Sequence, residues 1–188
     1  MKPDYKNPFG KYNGNEAEYA LRVLDSESDA YRGFPWITEF EDKFCELSGA
    51  KYAIAVNSAT SGLHACLVAA DIGPGDEVIQ PGLTVIMNSL VTVACGATPV
   101  FVDINPNSWC IDVNTIEDKI TPKTKAIMAV SLFGLPLDIE PIMALAKKHN
   151  LIVIDDSAET ITGGHKNKFP GTHADMAVYS FENKKHMS

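Results

Sequence analysis

The stretch AIMAVSLFGLPLDIEPIMALAKKHNLIVIDDSA, residues 126–158, decides the fold. It reads as strand, helix, strand. Residues 126–132 are an apolar run, residues 139–149 a helix, and residues 151–154 a second apolar run that ends in Asp155 and Asp156. Two strands joined through a helix pair in parallel, because a parallel crossover needs a dozen or more residues. Strands with no polar alternation are buried on both faces, so helices cover both sides of the sheet.

The same alternation extends outward. Before the stretch come strands over 52–56, 77–80 and 99–104, with helices over 59–70, 85–94 and 113–120 between them. After it come a Gly/polar loop over 163–172 and a last strand over 176–181. Upstream, a helix begins at Glu16 and carries Tyr19, Ala20, Leu21, Val23 and Leu24 until Gly33 and Pro35 break it. Another covers 37–47, with Phe40, Phe44 and Leu47 on one face and Gly49 as its stop. Residues 1–14 read as an extended arm, and residues 15–188 as one α/β domain without repeats or linkers.

The 188 residues allow one domain, or one and a half. Sixteen Lys+Arg against 24 Asp+Glu give a net charge of -8, which disfavours nucleic acid as a partner. Met1-Lys2-Pro3-Asp4-Tyr5 lacks the apolar run of a signal peptide, and no run approaches the ~18 apolar residues of a membrane span. Cys45, Cys66, Cys95 and Cys110 form no C-x-x-C pair, so they read as core residues rather than zinc ligands. The expectation is a cytoplasmic protein with no metal and no membrane partner. The chain stops just past a strand tip, where functional residues usually sit, which reads as a fragment of a longer chain.

Three segments at strand ends carry candidate chemistry. Ser58-Ala59-Thr60-Ser61-Gly62 opens a helix: Ser58 is a good N-cap, and small residues leave the positive helix end open to a phosphate. Read alone, it is simply a well-capped helix. Asp155-Asp156 close a strand, so one acid can enter a site while its neighbour turns to the other face; a metal ligand and an ion-pair partner for a cationic cofactor both remain open. Ser180-Phe181-Glu182-Asn183-Lys184-Lys185 puts lysines past another strand, either a solvated turn or a nucleophile. A phosphate cradle, a buried acid and a lysine together fit one cofactor best, pyridoxal 5'-phosphate.

The sequence also resembles the DegT/DnrJ/StrS sugar aminotransferases, of the aspartate-aminotransferase fold (fold type I). Trp36-Ile37-x-x-Phe40-Glu41 resembles the family's opening helix, and Asn57-Ser58-Ala59-Thr60-Ser61-Gly62-Leu63 is similar to its N-S-G-T-x-A-L phosphate turn. Gly75-Asp76-Glu77-Val78-Ile79 matches G-D-E-V-I, and residues 96–103 match G-A-x-P-V-F-x-D. Asp155-Asp156-Ser157-Ala158 resembles E-D-x-A, and Ser180-Phe181-x-x-x-Lys185 matches S-F-x-x-x-K.

This resemblance implies the large domain of a fold-type-I protein: three layers, with a mostly parallel, mixed, seven-stranded sheet and the C-terminal small domain absent. It implies that Lys185 is the Schiff-base lysine and the catalytic acid/base. It implies that Asp156 pairs with the pyridine nitrogen, and that Ser58, Ala59, Thr60 and Ser61 form the phosphate turn with help from the Ser180 hydroxyl. Two positions depart from the family. Val85 stands where an aromatic usually stacks on the ring, and Glu159 stands where Gln or His usually donates to the ring's phenolic oxygen. An ionised carboxylate only accepts. The implied reaction moves an amino group from an amino-acid donor, glutamate, to a keto sugar linked to a nucleotide. The setting would be cell-surface polysaccharide or deoxyaminosugar biosynthesis, in a homodimer with shared active sites. A deoxysugar dehydratase on the same scaffold and a non-catalytic regulatory relative are the alternatives. Dehydratases of this type replace the lysine with His, so Lys185 argues against the first, although His186 stands next to it.

Overall fold

The computed structural model describes residues 15–25, 35–161 and 169–185. The expected arm, Gly33, most of the loop over 163–172 and His186 lie outside these residues.

Five strands form one sheet: β1 (Glu77–Pro81), β2 (Thr98–Val102), β3 (Thr124–Val130), β4 (Ile152–Asp156) and β5 (Met176–Val178). Their order is β2-β1-β3-β4-β5. Every pair is parallel, so all five C-terminal ends share one edge. The expected mixed, seven-stranded sheet is therefore a five-stranded, wholly parallel one among the described residues. Helices α1 (Glu16–Asp25), α2 (Pro35–Ser48), α3 (Ala59–Ala69), α4 (Met87–Ala94) and α5 (Ile139–His149) complete the fold.

From β1 the chain steps to β2 on one side, then jumps to β3 on the other. Right-handed crossovers then place the connecting helices on opposite faces. The core divides accordingly. On the front, Val78, Ala126, Met128 and Ile154 pack against Leu63 and Leu67 of α3 and Val91 of α4. On the back, Ile79, Ile127, Ala129 and Val153 pack against Ile139, Ile142 and Ala146 of α5. Alternate residues of each strand serve the two cores, which is why these strands show no polar alternation.

Three local expectations change. Residues 52–56 are not a strand: Tyr52 and Ile54 are 75% and 81% exposed, and the Ala55 N–H donates to Glu41 Oε1 (2.7 Å) instead of to a ladder. Residues 113–120 are two 3₁₀ turns, Val113–Thr115 and Glu117–Lys119, with the Asp112 carboxylate capping the first. Asp155 and Asp156 lie within β4 rather than after it, paired with Ala129 and Val130 on one side and Ala177 and Val178 on the other. The four cysteines are free thiols, buried or half-buried. Among the described residues no helix is long and apolar enough to cross a membrane.

Candidate active site

Asp156 ends β4 and is 2% exposed. Its carboxylate accepts from Asn88 Nδ2 (2.9 Å) and from the Ala158 N–H (3.1 Å). Asn88 is aimed by its neighbours: Thr84 Oγ1 donates to its Oδ1 (3.1 Å), and Thr92 Oγ1 donates to its carbonyl (2.9 Å). Asp155 turns to the other face, where Ser157 Oγ donates to it (3.1 Å), so the two acids are divided as the strand period requires. Burial pushes the Asp156 carboxyl above the ordinary carboxylate range, against the pull of Asn88, the Ala158 N–H and the Lys185 charge. A buried carboxylate held by donors is costly without a cation, so a cation is the natural complement of this side chain.

Lys185 sits in the turn after β5. Its N–H donates to the Glu182 carbonyl (2.9 Å), and its Nζ reaches Glu159 Oε1 at 2.9 Å. Its side chain is 25% exposed, whereas Lys184 is exposed, so the turn itself distinguishes the two lysines. The second oxygen of Glu159 accepts the Phe133 N–H at 3.0 Å. Glu159 therefore works as an acceptor at both oxygens, a different part from that of the Gln or His usual in the resembled family. Phe133 holds a left-handed backbone (φ 56), and its ring meets Trp109 at 6.3 Å. For a bulky side chain that conformation is strained and needs support from its surroundings.

The start of α3 lies beside β5. Ser58 caps it, its Oγ accepting the Ser61 N–H (3.2 Å), with the Ser61 hydroxyl 3.1 Å away. The Gly62 N–H donates to the Ser58 carbonyl (3.0 Å), while helix geometry leaves the Ala59 and Thr60 N–H groups without an intrahelical acceptor. Gly62 allows the close approach: a Cβ there would lie 3.0 Å from Val178 Cγ1 of β5. Ser180, two residues past β5, uses its Oγ to accept the Glu182 N–H (3.3 Å). α2 backs this turn, with Phe40 against Phe181 and Phe44 against Tyr179 at ring centroids of 5.1 and 4.9 Å.

The structure thus gathers Asp156, Glu159 and Lys185 into one electrostatic group, since Asp156 feels both of the other charges. Close packing sets the α3 terminus against the strand that leads to Lys185. Val85 is 40% exposed at the foot of α4. Asn88 escaped the sequence reading, although a signal was present. Asn88 and Thr92 are polar residues four apart in a mostly apolar helix, which puts both on one face. Both are fully buried. The Phe133 backbone contact left no signal in the sequence.

The donor set matches pyridoxal phosphate at three points. A buried carboxylate suits a pyridinium, unsatisfied helix N–H groups suit a phosphate, and a half-buried lysine suits an aldehyde.

The chain matches the DegT/DnrJ/EryC1/StrS aminotransferase family over residues 12–188. It is 44% identical over 171 residues to the GDP-perosamine synthase of Caulobacter vibrioides, covering 91% of this chain and 46% of that protein. It is 40% identical over 147 residues to the UDP-2-acetamido-2-deoxy-3-oxo-D-glucuronate aminotransferase of Pseudomonas aeruginosa, covering 78% and 41%. Among solved structures it resembles an aminotransferase from Psychrobacter cryohalolentis (TM-score 0.87, 37% identity, 99% of this chain and 45% of that one). It also resembles a putative sugar aminotransferase from Streptococcus pneumoniae, solved in PLP and PMP forms (TM-score 0.85, 28% identity, 92% and 47%). The chain spans about half the length of these relatives. The chain belongs to the DegT/DnrJ/EryC1/StrS aminotransferase family.

Proposed function

We propose that this chain is the cofactor-binding part of a pyridoxal-phosphate-dependent aminotransferase that moves an amino group from an amino acid, glutamate, to a nucleotide-linked keto sugar. The observation that carries the reading is the grouping of Asp156, held by Asn88 and the Ala158 N–H, with the Glu159–Lys185 pair at one edge of the sheet. The relative whose name carries a 3-oxo sugar on UDP supports the keto-sugar acceptor. By family likeness the protein is a cytoplasmic homodimer with shared active sites, serving polysaccharide or aminosugar biosynthesis.

The positions of the chain's own residues support the following roles. Asp156 holds the proton on the pyridine nitrogen. Opposite charges about 4 Å apart attract by roughly 4 kcal/mol at an effective dielectric near 20, enough to keep that proton at neutral pH. Ala59 and Thr60 offer their backbone N–H groups to the phosphate, and the Ser61 and Ser180 hydroxyls add donors beside them. When bound, the cofactor supplies an electron sink for the carbon that loses its proton. Lys185 Nζ would be the covalent anchor for the cofactor's aldehyde and, as a free amine, would be the base that carries the α-proton of the amino donor. Glu159 keeps that Nζ within the site and ties it to the Phe133 turn.

The test is Asp156→Asn in the full protein. Cofactor binding should stay measurable, while the half-reaction with glutamate slows by roughly a thousandfold, the kinetic equivalent of about 4 kcal/mol. If Asp155→Asn gives this phenotype and Asp156→Asn does not, the facing of β4 toward the cofactor is wrong.

A further inference from the structure

β4 carries a second buried acid that the reaction does not use. Asp155 is 2% exposed and points to the back of the sheet. Beside it lies a cavity of about 20 Å³ lined by Ser131, Glu140, Asp155, Pro170, Gly171 and His173. One water needs roughly 10–15 Å³. Within the cavity's lining, His173 has its Nε2 buried and without a hydrogen-bond partner among the described residues. Other polar atoms there already have partners: Ser131 Oγ accepts the Leu137 N–H (3.2 Å), and the Pro170 carbonyl accepts the Tyr179 hydroxyl. An orphaned buried nitrogen is costly, and a single water beside it removes that cost.

We propose that this cavity holds one ordered water bridging the Asp155 carboxyl and His173 Nε2, and that the bridge fastens segment 169–175 to β4. The consequence reaches the front of the molecule. Segment 169–175 runs directly into β5, which is only three residues long and delivers Ser180 and Lys185. One end of the segment is already pinned: Asp175 Oδ2 accepts the Val153 N–H (2.8 Å), and the Asp175 N–H donates to the Val153 carbonyl (3.1 Å). Gly171 is packed so tightly that a Cβ would lie 2.5 Å from the Tyr179 hydroxyl and 2.6 Å from Ala177 Cβ. Of the residues between these points, His173 is the one that lines the cavity. Asp155 and His173 are positioning residues, acting through β5.

The bridge carries a proton signature. Burial, aided by the Asp156 charge and opposed by the Ser157 hydroxyl, pushes Asp155 up to about 7. Glu140 of α5 lines the cavity, and Cys110 and Tyr179 are both pushed up by burial and by the Asp155 charge. In its protonated form the Asp155 O–H donates to the water, whose own O–H is then free to donate to His173 Nε2. Opening the segment exposes Asp155 to solvent and returns its pKa toward 3.8. Opening therefore becomes easier as pH rises between these two values, by up to about tenfold per pH unit, and levels off above the folded value.

This inference stands apart from the cofactor reading, because its readouts are structural. Amide hydrogen exchange of residues 171–175 in the full protein, corrected for intrinsic rates, should show the opening constant rising about fiftyfold from pH 5 to pH 7 and then flattening. Asp155→Asn should abolish that slope, and His173→Phe should raise opening at every pH while keeping it. A high-resolution crystal structure should show one water within hydrogen-bonding reach of both side chains. A dry cavity, a flat wild-type profile, or an unchanged slope in Asp155→Asn would each overturn the proposal. If Asp155→Asn does not fold, the wild-type profile and His173→Phe still decide it.

Discussion

Helices α3 and α5 are each 11 residues long and lie on opposite faces of one sheet, yet they handle their ends differently. α5 closes on itself. Glu140 sits in its first turn, Lys147, Lys148 and His149 sit in its last, and Asn150 ends it in the left-handed conformation. Those charges answer the helix dipole from within the chain. α3 has no acid in its first turn and no base in its last. Among the described residues its positive end is capped by Ser58, and it opens at the edge where the strands terminate. A helix built only for packing gains from an acid at that position. Leaving the position neutral makes sense when the anion comes from elsewhere, as the phosphate site proposed above requires.

The largest expected effect tests this contrast by reversing its sign. Thr60→Asp places an acid in the first turn of α3. In an ordinary helix this stabilises by about 0.3–1 kcal/mol. Here the cofactor-free protein should gain that much in denaturant melts, while cofactor affinity falls by roughly a thousandfold, since like charges a few ångströms apart repel by about 4 kcal/mol. Unchanged affinity in equilibrium dialysis would make α3 a packing helix like α5.

Gly62→Ala should have a smaller effect. The added methyl meets Val178 Cγ1 at 3.0 Å. Overpacking costs about 1–3 kcal/mol, and the better helix propensity of alanine returns about 1 kcal/mol. A net loss near 1 kcal/mol in chemical denaturation is expected, with weaker cofactor binding because the first turn is pushed off β5. A stability gain would show that α3 does not need the close approach.

Asn150→Gly at the end of α5 should do least. Glycine accepts φ 56 without strain but loosens the unfolded chain, so stability should move by about 0.5 kcal/mol or less. Cofactor affinity should not change, and a change there would tie α5 to the site.

Much of this was legible in the sequence because apolar runs report burial directly. The strand expected over 126–132, observed as Thr124–Val130, the helix over 139–149 and the opposed facing of Asp155 and Asp156 follow from side-chain period. Residues 52–56 misled for the same reason. Their apolar character resembles a buried strand, but Tyr52 and Ile54 face solvent, and a run of residues says nothing about whether a neighbour is there to pair with it. The candidate site was legible where motif and position coincide, at Ser58, Asp156 and Lys185. It was not legible where tertiary contact decides. Glu159 could be read only as an acceptor, and folding alone brings it between Lys185 and the Phe133 N–H.

The central claim is that Lys185, and not its neighbour, carries the cofactor. Borohydride reduction of the full protein loaded with pyridoxal phosphate, followed by peptide mapping, should place a pyridoxyl group on Lys185 alone. A label on Lys184, or no label on either lysine, would contradict it.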